Sequence, residues 1–436
     1  MKHTPLGLFL GILTSAGALT ACGDGAADGA AERVRPEDSS SVIPGEPVPS
    51  DGVVNPDPGT GPRIDEGAPP VTVVVGGGGG PTEGDGPAPV PGEIEPTDCV
   101  IPASAPNPIG YGAATTGGGD AAAVVVSSFA EAEAALATYR AAFKDGAASA
   151  LVLRYTGSFD YSTITDVCAQ HTKEPQRLEV KEMDNVTFEG APGSSANFGI
   201  HINRARNVIV RNMTLGLLPG GGDADAITIE GNDTNGDVEN VWIDHNELFS
   251  STKEDCAGAG DTEFDGLIDI KKGARRITVS YNFLHDHQKT GLMGFSDTDD
   301  TERYVTFHHN RYENVVSRTP LHRFGYIHVF NNYYGNITSS GINVRMGGVA
   351  LIESNFFENA ANPVTSRYSG EAGFWDLRNN HVGDGITWST DEDTLANADA
   401  WSSTIAFPAN EIGYAYTPDR AGCVKQIVNA TAGAIL

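Results

Sequence analysis

A pattern of alternating apolar and polar residues recurs through the central half of the chain. Each copy opens with a run rich in Val, Ile, Thr, Tyr and Phe, has an asparagine near its middle, and resumes with apolar or aromatic residues. Two-residue alternation of these residue types is typical of β-strands rather than helices. The recurring asparagines are Asn212, Asn246, Asn282, Asn310, Asn332, Asn355 and Asn380.

The spacing of these asparagines indicates a minimal repeat of about 22 residues. The last three intervals are 22, 23 and 25 residues (332 − 310, 355 − 332 and 380 − 355), whereas the first three, of 34, 36 and 28 residues, contain insertions. Short repeats built from strands are typical of a solenoid in which each repeat forms one coil. Asparagine tolerates the left-handed backbone conformation, and its amide can bond the asparagine of the next coil. The pattern therefore predicts an all-β fold, a parallel β-helix with an internal asparagine ladder.

One segment, Ser128–Asp145, has helical periodicity instead. A solenoid must cover its terminal edge, so this helix is expected to cap the N-terminal end of the stack. A helix packed on the flank is the alternative. The apolar residues at helical spacing are Phe129, Ala132, Leu136, Tyr139 and Phe143.

The first hundred residues have a different composition. From Gly23 to about Asp98 the chain consists mainly of Gly, Pro, Ala, Asp and Glu. Such a segment cannot bury enough apolar surface to offset its loss of conformational entropy, which predicts a disordered tether. We therefore expect a tether over residues 22–97 and one large β-helix domain over residues 98–436.

The extreme N-terminus is typical of an export signal. Lys2 is followed by an apolar stretch, Leu6–Ala21, that is too short to span a bilayer. The stretch ends in Leu19-Thr20-Ala21-Cys22, which resembles the lipobox of bacterial lipoproteins. Residues 1–21 are therefore expected to be a lipoprotein signal peptide, with Cys22 acylated after cleavage. An ordinary secretory signal with a chance cysteine is the alternative.

Charge and cysteine content restrict the remaining possibilities. The formal net charge of −29 argues against nucleic acid or an anionic membrane surface as a partner. The lipid anchor is then the only expected membrane contact. Without Cys22 the chain has four cysteines, an even number that in an exported protein predicts two disulfides. They are Cys99, Cys168, Cys256 and Cys423.

The insertions between the ladder asparagines contain unusual charged residues. Asp269 precedes its asparagine by 13 residues (282 − 269) and Arg318 precedes its own by 14 (332 − 318). Equal offsets place side chains on about the same face of a stacked solenoid, so the charged residues of four consecutive coils should form a column roughly 15 Å long. The column comprises Asp225, Asp265, Asp269, Lys289, Arg318 and Arg323.

This combination of side chains predicts a calcium-dependent sugar site. Three carboxylates on one patch repel each other unless a hard cation joins them, and oxygen-only ligands favour Ca²⁺ over zinc or copper. The basic residues beside them suit a polymer of carboxylated sugars. His285 and His287 lack a third ligand at a typical spacing, which disfavours a transition metal.

From roughly Tyr111 to Val424 the chain resembles the pectate lyases of polysaccharide lyase family 1. The segments that carry the resemblance are long, among them NVWIDHNELF from Asn240, DIKKGA from Asp269, SRTPLHR from Ser317 and AFPANEIGYAYTP from Ala406. The resemblance implies a right-handed parallel β-helix with long functional loops on one face. It also implies Ca²⁺-dependent β-elimination of α-1,4-polygalacturonate, which gives 4,5-unsaturated oligogalacturonides.

Residue roles follow from the same resemblance. The family's calcium ligands correspond to Asp225, Asp265 and Asp269, with Asp223 as a further ligand. Its catalytic base corresponds to Arg318, and its substrate-binding lysine and arginine to Lys289 and Arg323. Its disulfide corresponds to Cys168–Cys256, which leaves Cys99–Cys423 as the second pair. His322 stands where glutamine is common, so a different pH dependence is expected.

The resemblance implies an exported enzyme, lipid-anchored in the bacterial envelope or secreted, that acts on pectate as a monomer. Two alternatives remain. A pectin lyase acts on the methyl ester without Ca²⁺ and generally replaces a calcium aspartate with a basic residue, which Asp225, Asp265 and Asp269 oppose. A surface protein that binds pectate without cleaving it has no need of Arg318 beside an intact carboxylate cluster.

Overall fold

The computed structural model describes residues 92, 95–221, 224–232, 237–252, 256 and 264–436. All of these residues belong to one compact unit, residues 79–436. The predicted signal peptide, Cys22, most of the tether and Asp223 lie outside the described residues. No helix among the described residues is long and apolar enough to cross a membrane.

Strands of the described chain assemble into three sheets. Sheet A contains β1 (Ala123–Val126), β2 (Leu151–Tyr155), β4 (Val186–Gly190), β7 (Arg206–Arg211), β10 (Val238–Asp244), β13 (Ala274–Ser280), β16 (Tyr304–His308), β19 (Tyr326–Phe330), β22 (Val349–Glu353) and β25 (Phe374–Arg378). Sheet B contains β3 (Arg177–Lys181), β6 (Gly199–Asn203), β9 (Ile227–Glu230), β12 (Ile268–Lys271), β15 (Gly291–Met293), β18 (Leu321–Arg323), β21 (Ile342–Arg345), β24 (Val364–Arg367) and β27 (Thr394–Asn397). Sheet C contains β5 (Ser195–Ala196), β8 (Thr214–Gly216), β11 (Glu247–Phe249), β14 (Phe283–Lys289), β17 (Arg311–Ser317), β20 (Tyr333–Ile337), β23 (Phe356–Ala360) and β26 (His381–Val382).

From β4 onward the chain passes from sheet A to sheet C to sheet B and then begins the next coil. Neighbouring strands are parallel, except that β27 runs antiparallel to β24. Inward side chains therefore stack at equal register from coil to coil, and their burial holds the coils together. One such buried row is Ile243, Val279, Phe307, Val329 and Ile352. The predicted parallel β-helix is confirmed.

The asparagine ladder runs from Asn246 to Asn380. Each side-chain amide donates to the side-chain oxygen of the next ladder asparagine at 2.9–3.1 Å. The residue before the ladder asparagine, rather than the asparagine itself, has the left-handed backbone, as at His245 (φ 50°). Asn212 was therefore placed wrongly in the ladder, because it is in register with His245 and has φ 55° itself. Met213 stands at the ladder position in that coil, and its N–H donates to Asn246.

Replacing Asn310 with alanine should destabilise the fold strongly. Asn310 is fully buried, and its amide also donates to the carbonyl of Val279 at 2.9 Å. Its removal leaves several buried polar groups unpaired, which predicts a loss of roughly 2–4 kcal/mol in the free energy of unfolding. Chemical denaturation measures this. Asn410→Ala, at an exposed side chain, is the control, and equal losses for the two variants would show that the ladder adds nothing.

The predicted helix is present as α1, Phe129–Lys144. Its N-cap is Ser128, whose side chain accepts from the N–H of Glu131. Leu136 and Tyr139 are buried in the same core as the inward residues of the first coils. The helix therefore caps the end of the stack rather than lying on the flank.

Two short helices were not predicted: α2 (Cys168–His171) and α3 (Val424–Thr431). Val424 and Val428 of α3 pack against Tyr333 and Phe356 of sheet C. Short 3₁₀ turns lie at residues 161–163, 409–411 and 421–423. Both disulfides, Cys168–Cys256 and Cys99–Cys423, are present, and the second fixes the start of α3 to the N-terminal segment.

Candidate active site

Three carboxylates converge at sheet B. Asp225 precedes β9, Asp265 precedes β12 and Asp269 lies in β12. Because β9 and β12 are adjacent and parallel, these residues meet from two neighbouring coils. One oxygen of each carboxylate lies within 4.8 Å of the others. Among the described residues this is the only such group of three potential metal ligands.

Hydrogen bonds fix the orientation of these carboxylates. Asp225 accepts from the Thr228 hydroxyl at 2.8 Å and from the N–H of Gly266 at 2.9 Å. Asp269 accepts from the N–H of Leu292 at 3.2 Å. A Cβ at Gly266 would lie 2.2 Å from Asp269 Oδ1, so the carboxylates can approach this closely only because the residue between them is glycine.

Mutual repulsion in a buried place disfavours the ionised forms. Burial, followed by Asp225 and Asp269, raises the pKa of Asp265 to about 8. Burial and Asp225 raise the pKa of Asp269 to about 6. The three carboxylates together therefore need compensating positive charge at neutral and alkaline pH.

Lys271 supplies part of that charge and was missed from the sequence. Its Nζ lies 3.0 Å from Asp225 Oδ2 and 2.9 Å from Asp269 Oδ2. Burial alone would lower the pKa of Lys271, but Asp269, Asp225 and Asp265 raise it above its ordinary value. Its position two residues after Asp269 on one strand was the available signal, because residues i and i+2 share a face.

The donor set fits Ca²⁺. The three converging ligands are carboxylates, without a histidine or cysteine, and a hard cation prefers oxygen donors. The repulsion that raises the pKa of Asp265 and Asp269 is the repulsion that such a cation relieves. Bound there, Ca²⁺ would be held by Asp225, Asp265 and Asp269.

The basic residues lie at the corner between sheets C and B. Lys289 ends β14 and pairs in register with Ser317, the residue before Arg318. Arg318 has φ 65°, and its carbonyl accepts from the N–H of Gly291 at 2.9 Å. The charge of Arg318 partly offsets the effects that raise the pKa of Asp265 and Asp269, so Arg318 lies in the electric field of the acidic cluster.

Arg323 is held in a fixed orientation. Its Nε donates to Asp297 at 2.7 Å and its Nη1 to the carbonyl of Gly294 at 2.8 Å. Arg345 stands opposite Arg323 on the next strand and was missed from the sequence. The signal was its distance from Arg323 of one minimal repeat (345 − 323 = 22). Burial, Arg323 and Arg318 lower the pKa of Arg345 to about 9.

His322, from which a different pH dependence is expected, lies inside the fold. The side chain is fully buried, and Nε2 lies 3.1 Å from the carbonyl of Gly325. Burial lowers the pKa of His322 to about 3, so the ring is neutral throughout the range in which an enzyme of this kind would work.

Comparison with known proteins agrees with this geometry. A family model described as pectate lyase matches residues 100–435. The chain belongs to the pectate lyase family. Pectate lyase B of Dickeya chrysanthemi is 46% identical over 303 residues, which cover 66% of this chain and 78% of that protein.

Solved pectate lyase structures share the fold. Pectate lyase II of Xanthomonas campestris superimposes with a TM-score of 0.71 at 52% identity, covering 75% of this chain and 98% of its own. Pectate lyase C of Erwinia chrysanthemi, solved at pH 9.5 with 30 mM Ca²⁺, has a TM-score of 0.69 at 41% identity, covering 76% and 96%. A variant of pectate lyase C has also been solved in complex with pentagalacturonic acid.

Proposed function

We propose that this pectate lyase homologue cleaves polygalacturonate by Ca²⁺-dependent β-elimination, with Arg318 as the base. The observation that carries the proposal is the convergence of Asp225, Asp265 and Asp269 from two coils, with Arg318 beside them. The Ca²⁺ and pentagalacturonic acid in the pectate lyase C structures support the choice of cation and substrate. Formation of an unsaturated, ultraviolet-absorbing product from polygalacturonate tests it.

The chemistry follows from the charges at the cleft. When bound, Ca²⁺ supplies positive charge that neutralises a uronate carboxylate and makes its C5 proton more acidic. Arg318 takes that proton. The electron pair forms the C4–C5 double bond, the C4–O bond breaks, and the departing oxygen acquires a proton from solvent. Lys289 and Arg323 bind the carboxylates of neighbouring sugars. Arg345 lies next to Arg323 on the adjacent strand.

A guanidinium can act as a base only where its surroundings oppose its positive charge. Lys289, Arg323 and Arg345 are the basic residues that accompany Arg318 in the cleft. Burial, Arg323 and Arg318 lower the pKa of Arg345 to about 9. A cation bound at the carboxylate cluster would add a further positive charge near Arg318.

Ca²⁺ should stabilise the protein more as pH rises. Asp265 and Asp269 have folded-state pKa values of about 8 and about 6, above their ordinary value of 3.8. The unfolded chain therefore loses these protons first, and the metal-free fold is progressively destabilised as pH rises from about 4 to about 8. Ca²⁺ reverses this effect, so the increase in Tm on adding it should be larger at about pH 9 than at about pH 5. Equal increases at both pH values would contradict the assigned cluster.

The proposal also places the enzyme outside the cytoplasm, joined to the cell envelope through acylated Cys22. Leu19-Thr20-Ala21-Cys22 supports this. Labelled fatty acid should be incorporated into the wild type and into a Gly25→Ala control, but not into Cys22→Ala. Labelling of Cys22→Ala at the wild-type level, or none in any of the three proteins, would show that no lipid is attached there.

A further inference from the structure

A polar groove with a volume of about 620 Å³ lies on sheet A, away from the carboxylates of sheet B. The outward side chains of β2, β4, β7 and β10 form its floor. Two pieces of the N-terminal segment, residues 106–108 and 115–123, form its walls. The cleavage proposed above uses none of these residues.

The floor of the groove has two parallel rows set by strand register. Val152, Thr187, Ile209 and Trp242 are paired across four successive strands and form a largely apolar row. The next outward position is charged, with Arg154, Glu189 and Arg211 paired across three strands. At about 4.8 Å per strand, the two arginines are roughly 10 Å apart.

A single buried carboxylate orients both guanidinium groups. Arg154 donates through Nε and Nη2 to Oε1 of Glu189, at 2.9 Å for Nε. Arg211 donates through Nε and Nη2 to Oε2, at 3.1 and 2.7 Å. Burial would raise the pKa of Glu189, but hydrogen bonds from Arg211 and Arg154 lower it below its ordinary value. One ionised carboxylate thus orients two cations.

The second edge of each guanidinium is available to a ligand. Among the described residues, no hydrogen bond uses Nη1 of Arg154 or Arg211, and 50% and 36% of these side chains are exposed. Rigid guanidinium edges recognise carboxylates. On the walls, Asn107, Thr116 and Asp120 offer partners for hydroxyl groups.

We propose that this groove is a second, non-catalytic binding site for acidic oligosaccharides, such as short oligogalacturonates. The choice of a uronate ligand rests on the proposed function. Guanidinium groups bind carboxylates directly, so the proposed binding does not depend on Ca²⁺. Such a site would retain a pectate chain or its fragments on the enzyme between cleavages.

Calorimetric titration of trigalacturonate in excess chelator tests the inference. The wild type should bind in a saturable manner, and Arg154→Gln/Arg211→Gln should bind at least about ten-fold more weakly. Because removing both arginines leaves Glu189 buried without a partner, Ala123→Trp is a second variant that fills the groove and keeps its charges. Arg177→Gln, which removes an exposed arginine bound to Glu179, is the matched control and should bind as the wild type.

Absence of binding by the wild type in chelator would overturn the inference, as would normal binding by Ala123→Trp. Loss of this binding in Arg323→Gln, but not in Ala123→Trp, would place the ligand in the cleft instead and would also overturn it. Failure of the proposed function is distinguishable. An enzyme that cleaves pectate without binding in chelator lacks only the second site, whereas one that binds without cleaving lacks only the catalysis.

Discussion

Replacing Arg318 with lysine should lower kcat on polygalacturonate by about 10²–10⁴ and leave KM nearly unchanged. The substitution keeps the positive charge, so attraction to the uronates largely survives. It removes the forked group that follows β17 at a left-handed backbone position, φ 65°, and whose charge acts on Asp265. Proton transfer then lacks its base. Steady-state kinetics at saturating Ca²⁺ measure both parameters.

Arg323→Lys is the matched control, because it makes the same chemical change in the same cleft. Arg323 is fixed by Asp297 and Gly294 and is assigned to substrate binding. It should raise KM and lower kcat much less than Arg318→Lys. A near-normal kcat with a raised KM in Arg318→Lys would make Arg318 a substrate-binding residue, and the base would have to be another group.

The second large effect is expected for Asp269→Asn. Asp269 is nearly fully buried and contributes one of the three converging carboxylates. Its loss should raise the Ca²⁺ concentration needed for half-maximal activity by about 10²-fold or more, because an amide is a much weaker ligand for a hard cation. Titration of activity with Ca²⁺ measures the change.

The same variant should be more stable than the wild type without metal at about pH 8. Burial and Asp225 raise the pKa of Asp269 to about 6, so its ionised form destabilises the metal-free fold at that pH. An amide removes that cost. Asp300→Asn, an exposed substitution in a loop that makes the same change of charge, should alter neither property. Unchanged Ca²⁺ dependence in Asp269→Asn would remove this residue from the calcium site.

Much of the fold was predictable because the β-helix is built from local repeats. The interval from Asn310 to Asn332 is one coil in the structure as in the sequence. Asn212 was misplaced because two adjacent positions both suit asparagine, one for its left-handed backbone and one for its side-chain ladder. Sequence spacing alone does not separate these two roles.

Offsets from the ladder brought the right residues to one side of the stack but did not give their register. Asp269 and Arg318 have nearly equal offsets from their ladder asparagines, but strand pairing sets Asp269 opposite Leu292 and then Leu321, so Arg318 lies three residues before that register position. The ion pair between Lys271 and Asp225 joins two neighbouring coils. A long insertion separates these residues in the chain, and the sequence does not show how that insertion folds. The groove on sheet A could not be predicted, because its walls come from an N-terminal segment that contacts coils distant in sequence, as Tyr111 contacts Thr306.

The most direct test of calcium-dependent elimination is ultraviolet absorbance of the product formed from polygalacturonate. It is recorded with Ca²⁺, with excess chelator, and after Ca²⁺ is restored. An unsaturated product should accumulate in the first and third conditions and be absent in the second. Full activity in chelator, or cleavage that releases only saturated ends, would contradict a calcium-dependent β-elimination at Asp225, Asp265, Asp269 and Arg318.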